Sequence, residues 1–162
     1  FDAEGNLENW WTEEDRARFE ERTKRLIEQY DALTPRDLEG EEPPLHVNGA
    51  LTLGENIGDL AGLSIAWRAY VSRLKEKGET AQTAPAIDGL TAAQRFFTSW
   101  ARGWRTAIRR EFAKQLLSID PHSPAEFRCN QVVANMDSFA EAYDLAPDDA
   151  LWIAPNERVR IW

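Results

Sequence analysis

The sequence VNGALTLGENIGD, residues 47–59, determines how the rest of the chain can be organised. Its first residues end a stretch, residues 34–51, in which proline, glycine and acidic residues predict a loop. From residue 53 to about residue 75, apolar side chains recur at helical spacing, so we expect a long helix there. Glu55 and Asp59 are four residues apart and therefore share one face of that helix.

Two interpretations of the Glu55–Asp59 pair are open. An arbitrary pair of carboxylates at this spacing is most often a solvated or salt-bridged surface. Gly54, Gly58 and Gly62 weaken that interpretation, because each glycine inside a helix lowers its stability by about 1 kcal/mol relative to alanine. Three glycines in one helix instead predict the close approach of a backbone or a bulky side chain.

Two capping signals mark further helix starts. Thr12 is followed by Asp15, and Thr91 is followed by Gln94, each three residues on. Two prolines restrict the residues before them, so residues 120–124 should be irregular. The helices predicted on this basis cover residues 13–32, 53–75, 92–107, 110–117 and 137–143. No pair of strands is evident, and the predicted fold class is mainly α.

Length and composition indicate one folded unit. With 162 residues, 43% of them hydrophobic and 29% charged, the chain is expected to form a single helical region over residues 1–162. Its net charge of −9 argues against nucleic acid or an anionic membrane surface as partners, because both attract clustered Lys and Arg. No apolar run is long enough to span a membrane. The single cysteine, Cys129, excludes an intrachain disulfide, and none of these features assigns a compartment.

Histidine is scarce, which limits the available chemistry. The two histidines are His46 and His122, and neither belongs to an H-E-x-x-H helix, the usual source of two zinc ligands and a general base. His122 lies between two prolines with Arg128 six residues on, a combination that could bind a carbonyl oxygen or a carboxylate. The alternative is a surface histidine and a structural arginine paired with an acid such as Glu126. For His46, a packed loop histidine is favoured.

Cys129 and the aromatic residues also have two interpretations each. Arg128 could stabilise a thiolate at Cys129, but no Cys-His signature surrounds the thiol, which favours an inert cysteine. Trp10 and Trp11, or the aromatic set of the third predicted helix, could form a platform for a sugar or a peptide. Aromatic residues at helical spacing are more often part of the core. That set comprises Phe96, Phe97, Trp100 and Trp104.

Five segments, in order, resemble the C-terminal part of the neprilysin family of zinc metalloendopeptidases (M13), which includes the bacterial oligopeptidase O group. VNGALTLGENIGD is similar to the family's G-E-N-I-A-D signature, and DPHSPAEFR, residues 120–128, to its D-P-H-S-P-x-x-F-R segment. The others are residues 1–12, which begin FDAEGNL, residues 135–143 and residues 160–162. The resemblance implies the helical C-terminal part of a thermolysin-like zinc metallopeptidase catalytic domain.

The resemblance implies catalytic roles for three residues. Glu55 matches the third zinc ligand of the family. Asp59 matches an acid that orients a histidine ligand, which fits the need of a metal site for one fixed tautomer. His122 matches the group that stabilises the oxyanion of the tetrahedral intermediate.

Substrate binding is implied for three more residues. Arg128 matches the residue that holds a backbone carbonyl of the substrate. Trp104, with Gly103 beside it, matches part of the wall of the apolar specificity pocket. Gly103 is smaller than the residue often found there, so we expect a wider pocket. Arg105 replaces a cysteine of animal members, in keeping with a disulfide-free bacterial-type protein.

The family's H-E-x-x-H helix and its Asn-Ala substrate-binding strand would precede Phe1. The complete enzyme is then expected to bind zinc and to hydrolyse peptides on the amino side of apolar residues. This chain alone is expected to bind no zinc tightly, to be inactive, and to self-associate through faces that the missing part would cover. The rival is a helical interaction module, or a degenerate relative, that never catalyses. The presence of Glu55, Asp59, His122 and Arg128 at the family's spacing favours the enzyme.

Overall fold

The computed structural model of the chain describes residues 2–161, which form helices joined by loops. The α-helices are α1 Glu13–Asp31, α2 Gly49–Glu76, α3 Ala92–Gly103, α4 Arg110–Ile119, α5 Ala125–Ala134 and α6 Asp137–Ala142, with a short 3-10 helix at Arg36–Leu38. Over residues 2–161 there is no β-strand, only an isolated bridge between Ile87 and Leu90. The predicted mainly α class is therefore confirmed. Phe1 and Trp162, which belong to two of the resembling segments, lie outside the described residues.

Both predicted capping signals are confirmed. The Thr12 side chain accepts a hydrogen bond from the backbone N–H of Asp15 at 3.1 Å. Thr91 and Gln94 exchange hydrogen bonds as a complete capping box. Helix α3, which the second box starts, ends at Gly103 rather than near residue 107.

Helix α2 begins at Gly49, earlier than the predicted start at residue 53. The side chain of Asn48 caps it by accepting a hydrogen bond from the backbone N–H of Leu51 at 2.9 Å, and asparagine is among the best residues at this position. Asp31, at the end of α1, accepts from the N–H of Gly49 at 2.7 Å. A Cβ at Gly49 would lie 2.4 Å from the carbonyl oxygen of Ile27, so a glycine is needed where α1 and α2 meet.

Among residues 2–161 nothing makes the close approach predicted at Gly54, Gly58 and Gly62. A Cβ at any of the three would meet nothing within 4 Å, so these glycines lie on an open face of α2. The side chains of Leu51 and Ile65, on the same helix, are also exposed, and Ile65 is 65% exposed to solvent. Despite these apolar side chains, no helix among residues 2–161 is long and apolar enough to cross a membrane.

Helix α5 was not predicted from the sequence. Residues 120–124 before it are irregular, as expected, and Pro124 directly precedes the first helical residue. Proline suits such a position, because a helix start needs no backbone N–H there. Phe127, Val132 and Val133 of α5 are buried, so packing against the rest of the chain stabilises this helix.

The core forms where α2 packs against α1 and α5. Trp67 of α2 stacks on Phe97 of α3 with ring centroids 5.3 Å apart, and Phe97 meets Phe139 of α6 edge to face, also at 5.3 Å. These contacts join α2, α3 and α6. Because α2 also packs directly on α5, residues along the edge that α2 and α5 share have fixed relative positions. The buried cluster contains Leu26, Tyr30, Val47, Leu60, Leu63, Phe97, Phe127, Val132, Val133, Met136, Val159 and Ile161.

Candidate functional site

The two carboxylates predicted to share a face of α2 lie in different environments. Glu55 is 48% exposed, whereas Asp59, one helical turn further on, is 12% exposed and faces α5. Asn56, between them in sequence, is fully buried. Helix α2 therefore presents one carboxylate to solvent and the other to the interior.

Arg128 of α5 pairs with Asp59. Its Nε donates to Oδ2 at 2.6 Å and its Nη2 donates to Oδ1 at 2.8 Å, which is a bidentate ion pair. The hydrogen bond from Arg128 to Asp59 holds the pKa of Arg128 above its usual value. The guanidinium also lies 4.4 Å from the ring centroid of Trp104. Arg128 is thus paired with an acid, as in the alternative interpretation, but the acid is Asp59. The Glu126 carboxylate instead accepts from the backbone N–H of Arg36 at 2.9 Å.

His122 bridges two carboxylates. Its Nδ1 lies 2.7 Å from Oδ1 of Asp120, and its Nε2 lies 3.2 Å from Oε2 of Glu55. The same oxygen of Asp120 also accepts from the backbone N–H of His122 at 2.9 Å. The hydrogen bonds from the backbone and the ring of His122 lower the pKa of Asp120. The irregular segment 120–124 thus places His122 in contact with Glu55.

A buried hydrogen bond that the sequence analysis missed lies next to this contact. Ser123 Oγ donates to Oδ1 of Asn56 at 2.8 Å, and Nδ2 of Asn56 donates to Oγ1 of Thr52 at 2.9 Å. All three side chains are buried. The one signal in the sequence is an asparagine inside a helix, where its low propensity requires a tertiary reason.

A cavity of about 1200 Å³ opens beside these residues. Four of the predicted site residues line it: Gly103, Trp104, His122 and Arg128. Glu55 and Asp59 do not line it but contact His122 and Arg128, which do. Helix α4 also lines the cavity and contributes apolar side chains such as that of Phe112. A volume of this size accommodates a large side chain together with part of a peptide backbone.

Ion pairs hold α4 in place as the outer wall. None of its residues is buried, and it packs on the 3-10 helix. Arg110 donates to the carboxylate of Glu41 and to the backbone carbonyl of Asp37. Nζ of Lys114 lies 2.8 Å from Oε2 of Glu41, and the hydrogen bonds from Lys114 and Arg110 lower the pKa of Glu41. Charged contacts to Glu41 and its neighbours therefore help to attach this wall.

The remaining candidate residues belong to the fold. Nδ1 of His46 lies 3.0 Å from Oγ1 of Thr34, within the connection between α1 and α2. Cys129 is half-buried, and burial raises the pKa of its thiol, which agrees with an inert cysteine. Phe97 is buried in the core, as favoured for aromatic residues at helical spacing, whereas Trp10 is exposed.

The side chains present can supply one protein ligand of a zinc site. Over residues 2–161 no three His, Cys, Asp or Glu side chains converge closely enough to hold a metal ion. The half-exposed carboxylate of Glu55 is an oxygen donor of the kind that catalytic zinc accepts alongside two histidines. Glu55 therefore fits as a contributor of one ligand.

The chain belongs to Peptidase family M13, whose sequence profile matches residues 1–159. This confirms the family inferred from the five segments. Relatives that align with all 162 residues include Neprilysin-1 of Caenorhabditis elegans at 38% identity, the neutral endopeptidase of Lactococcus lactis subsp. lactis at 36% and human neprilysin at 35%. The chain covers 21%, 22% and 20% of these proteins.

Solved structures of family members share the fold. The zinc metalloprotease ZMP1 of Mycobacterium tuberculosis, in complex with an inhibitor, superposes with a TM-score of 0.89 at 56% identity, over 100% of this chain and 24% of that one. PepO from Lactobacillus rhamnosis HN001 superposes with a TM-score of 0.73 at 32% identity, over 96% of this chain and 21% of that one. The match is to the C-terminal portion of such structures. The chain thus spans about a fifth to a quarter of the length of its relatives.

Proposed function

We propose that the chain forms the C-terminal part of the catalytic domain of a zinc endopeptidase that cleaves peptides on the amino side of apolar residues. The observation that carries this proposal is the 3.2 Å contact between His122 and Glu55. His122 lines the cavity that Trp104 and Arg128 also line. A candidate metal ligand thus contacts the histidine of a cavity that also contains a candidate peptide-binding cation, which suits metal-assisted peptide hydrolysis.

In this proposal Glu55 holds the zinc together with ligands from outside this chain. When bound, the zinc polarises the scissile carbonyl and activates a water molecule. Asp59 orients one of the histidine ligands. Its two oxygens accept from Arg128, but a carboxylate offers about four lone-pair sites, so it retains the capacity to accept from a histidine N–H as well.

His122 stabilises the negative charge that develops on the carbonyl oxygen of the substrate. Asp120 fixes the ring through Nδ1, so that Nε2 points towards Glu55. When the ring carries a proton on Nε2, it donates a hydrogen bond to the oxygen. That bond strengthens as charge develops, so it lowers the barrier rather than tightening the binding of the ground state.

Arg128 binds a backbone carbonyl of the peptide. A guanidinium has five N–H donors, and Asp59 occupies two of them. The others remain for the substrate, in an orientation that the ring of Trp104 also restricts. Gly103 leaves the adjacent wall without a side chain, so the pocket accepts large apolar residues.

The 162-residue chain alone is inactive in this proposal and binds no zinc tightly. A catalytic zinc site takes three protein ligands, and a single carboxylate is a weak site. The open face of α2, with Leu51 and Ile65 exposed, is where the rest of the catalytic domain packs. The isolated chain therefore self-associates. Light scattering that shows a monodisperse monomer at high concentration would contradict this part of the proposal.

The experiment that tests the proposal uses the full-length protein that carries this sequence. Its zinc content and its cleavage of quenched peptides with an apolar residue after the scissile bond are measured. Glu55→Ala should lose zinc and activity. His122→Ala should keep zinc and lose about 100-fold or more in kcat. Glu20→Ala removes an exposed carboxylate of α1 that pairs with Arg16, and it should change neither.

Other outcomes decide against the proposal. Retention of zinc and rate by Glu55→Ala would contradict the role of this residue as a ligand. If the full-length sequence contains no H-E-x-x-H and the protein binds no zinc, the chain belongs to a helical interaction module or a degenerate relative instead.

A further inference from the structure

A second contact links the residues that follow Glu55 and His122. Asn56 is 1% exposed and Ser123 is 4% exposed. The hydroxyl of Ser123 donates to Oδ1 of Asn56 at 2.8 Å. The contact between Glu55 and His122 is open to water, with both side chains close to half exposed, whereas the contact between Asn56 and Ser123 is shielded.

Both the oxygen and the nitrogen of the Asn56 side-chain amide make hydrogen bonds. Its Nδ2 donates to Oγ1 of Thr52 at 2.9 Å, and the Thr52 hydroxyl donates to the backbone carbonyl of Asn48 at 3.1 Å. Three hydrogen bonds thus run along α2 from its cap to Ser123, and they fix the amide so that Oδ1 faces the 120–124 loop. Among the described residues no buried side-chain nitrogen or oxygen lacks a partner. The hydroxyl of Ser123 is the donor to Oδ1 of Asn56 in this network, so Ser123→Ala removes that hydrogen bond.

The loop that carries His122 and Ser123 has few ways to relax. Pro121 and Pro124 fix their own φ angles on either side of the pair. Asp120 holds both the backbone N–H and the ring of His122. A displacement of Ser123 therefore moves His122 with it.

We propose that Asn56 and Ser123 are positioning residues that set the location of His122 relative to Glu55. This inference rests on the proposed function, in which His122 acts on a substrate at the metal that Glu55 holds. A contact between two side chains that are close to half exposed is too weak to fix such a location. A buried hydrogen bond whose partners are held by further hydrogen bonds is strong enough. Misplacement of a catalytic group by about 1 Å can reduce the rate by about 100-fold.

The first test measures the position of His122 directly in the full-length protein. Histidine side chains are isotopically labelled, and the ring resonances of His122 and His46 are assigned by their loss in His122→Ala and His46→Gln. Ser123→Ala should shift the His122 resonances and leave those of His46 unchanged. Ser123→Thr, which keeps the hydroxyl, should restore them. Unchanged His122 resonances in folded Ser123→Ala protein would overturn the proposal.

The second test is a double-mutant cycle on peptide cleavage. Ser123→Ala should lower kcat by about tenfold or more, with KM within about twofold and zinc retained. In the His122→Ala background the same substitution should have no further effect on kcat. A merely structural role would lower kcat by the same factor in both backgrounds, which would overturn the proposal.

A matched variant separates positioning from general stability. Thr23 on α1 is another buried hydroxyl, which donates to the backbone carbonyl of Glu20 at 3.2 Å. Thr23→Ala should lower the melting temperature as Ser123→Ala does, but leave kcat and the His122 resonances unchanged. If wild-type protein cleaves peptides as slowly as His122→Ala, the proposed function fails, while the resonances of His122 still decide whether Ser123 positions it.

Discussion

Asp59 on α2 and Arg128 on α5 are joined by two parallel hydrogen bonds of 2.6 and 2.8 Å, so the guanidinium cannot turn without breaking both. Trp104 lies 4.4 Å from the guanidinium carbon and restricts it further. The cavity therefore contains a cation of fixed orientation. Because Asp59 and Glu55 both belong to α2, the helix that carries the candidate metal ligand also holds the guanidinium of Arg128 in place.

Arg128→Lys should destabilise the chain by about 1–2 kcal/mol. A lysine makes one hydrogen bond to Asp59 at a time and cannot lay a planar group over Trp104. Urea unfolding gives the free energy of unfolding. The control is Arg25→Lys, because Arg25 makes a single exposed hydrogen bond to the carbonyl of Asn156 at 2.7 Å, and it should cost less than about 0.5 kcal/mol. Equal losses for the two variants would contradict the special role of the bidentate pair.

The local features of this fold could be predicted from the sequence, whereas contacts between distant segments could not. The caps at Thr12 and Thr91 depend on groups three residues away, so residue spacing along the sequence is enough to predict them. The contact of Glu55 with His122 depends on how α2 packs against an irregular loop. Spacing favoured a surface role for His122, and only the family resemblance gave both residues roles in one site.

The incorrect predictions have physical reasons as well. A proline such as Pro124 indicates both a break in regular structure and a helix start, and the choice depends on whether the following apolar residues find a partner. Because glycine lowers the stability of a helix, its presence suggests that the helix makes a close contact. It does not indicate which glycine makes that contact. Here Gly49 meets the carbonyl of Ile27, whereas Gly54 and Gly58 meet nothing within 4 Å.

The stability provided by Asp120 should disappear in acid. Its lowered pKa means that the carboxylate form stabilises the folded chain. That contribution is complete above the ordinary aspartate pKa of about 4 and is lost as the pH falls through the lower pKa of the folded state. Asp120→Asn should therefore be about 1 kcal/mol less stable than wild type at neutral pH and nearly equal to it at about pH 2. Urea unfolding at both pH values measures this difference, which should not persist in acid.

Arg110→Ala should loosen the outer wall of the cavity. Arg110 and Lys114 attach α4 to Glu41 and its neighbours, and no residue of α4 is buried. Amide hydrogen exchange in α4 should accelerate by roughly tenfold, while exchange in α2 stays unchanged. High salt should act on wild type in the same direction, because it screens these pairs. Arg16→Ala removes an exposed ion pair within α1 and should leave α4 unaffected; unchanged exchange in Arg110→Ala would show that apolar contacts suffice.

Asn135→Ala should be among the most destabilising substitutions of a polar residue. Asn135 is buried, its Oδ1 accepts from the backbone N–H of Val159 at 2.7 Å, and its Nδ2 donates to Oε1 of Gln29 at 2.8 Å. Alanine would leave the buried N–H of Val159 without that acceptor, which costs about 2 kcal/mol or more. Asn130→Ala, within α5, which Asn135 directly follows, alters a residue that lines the cavity and should cost less than about 1 kcal/mol. Urea unfolding compares the two, and a loss in Asn135→Ala no larger than that in Asn130→Ala would mean that other contacts hold the C-terminal segment against α1 and α5.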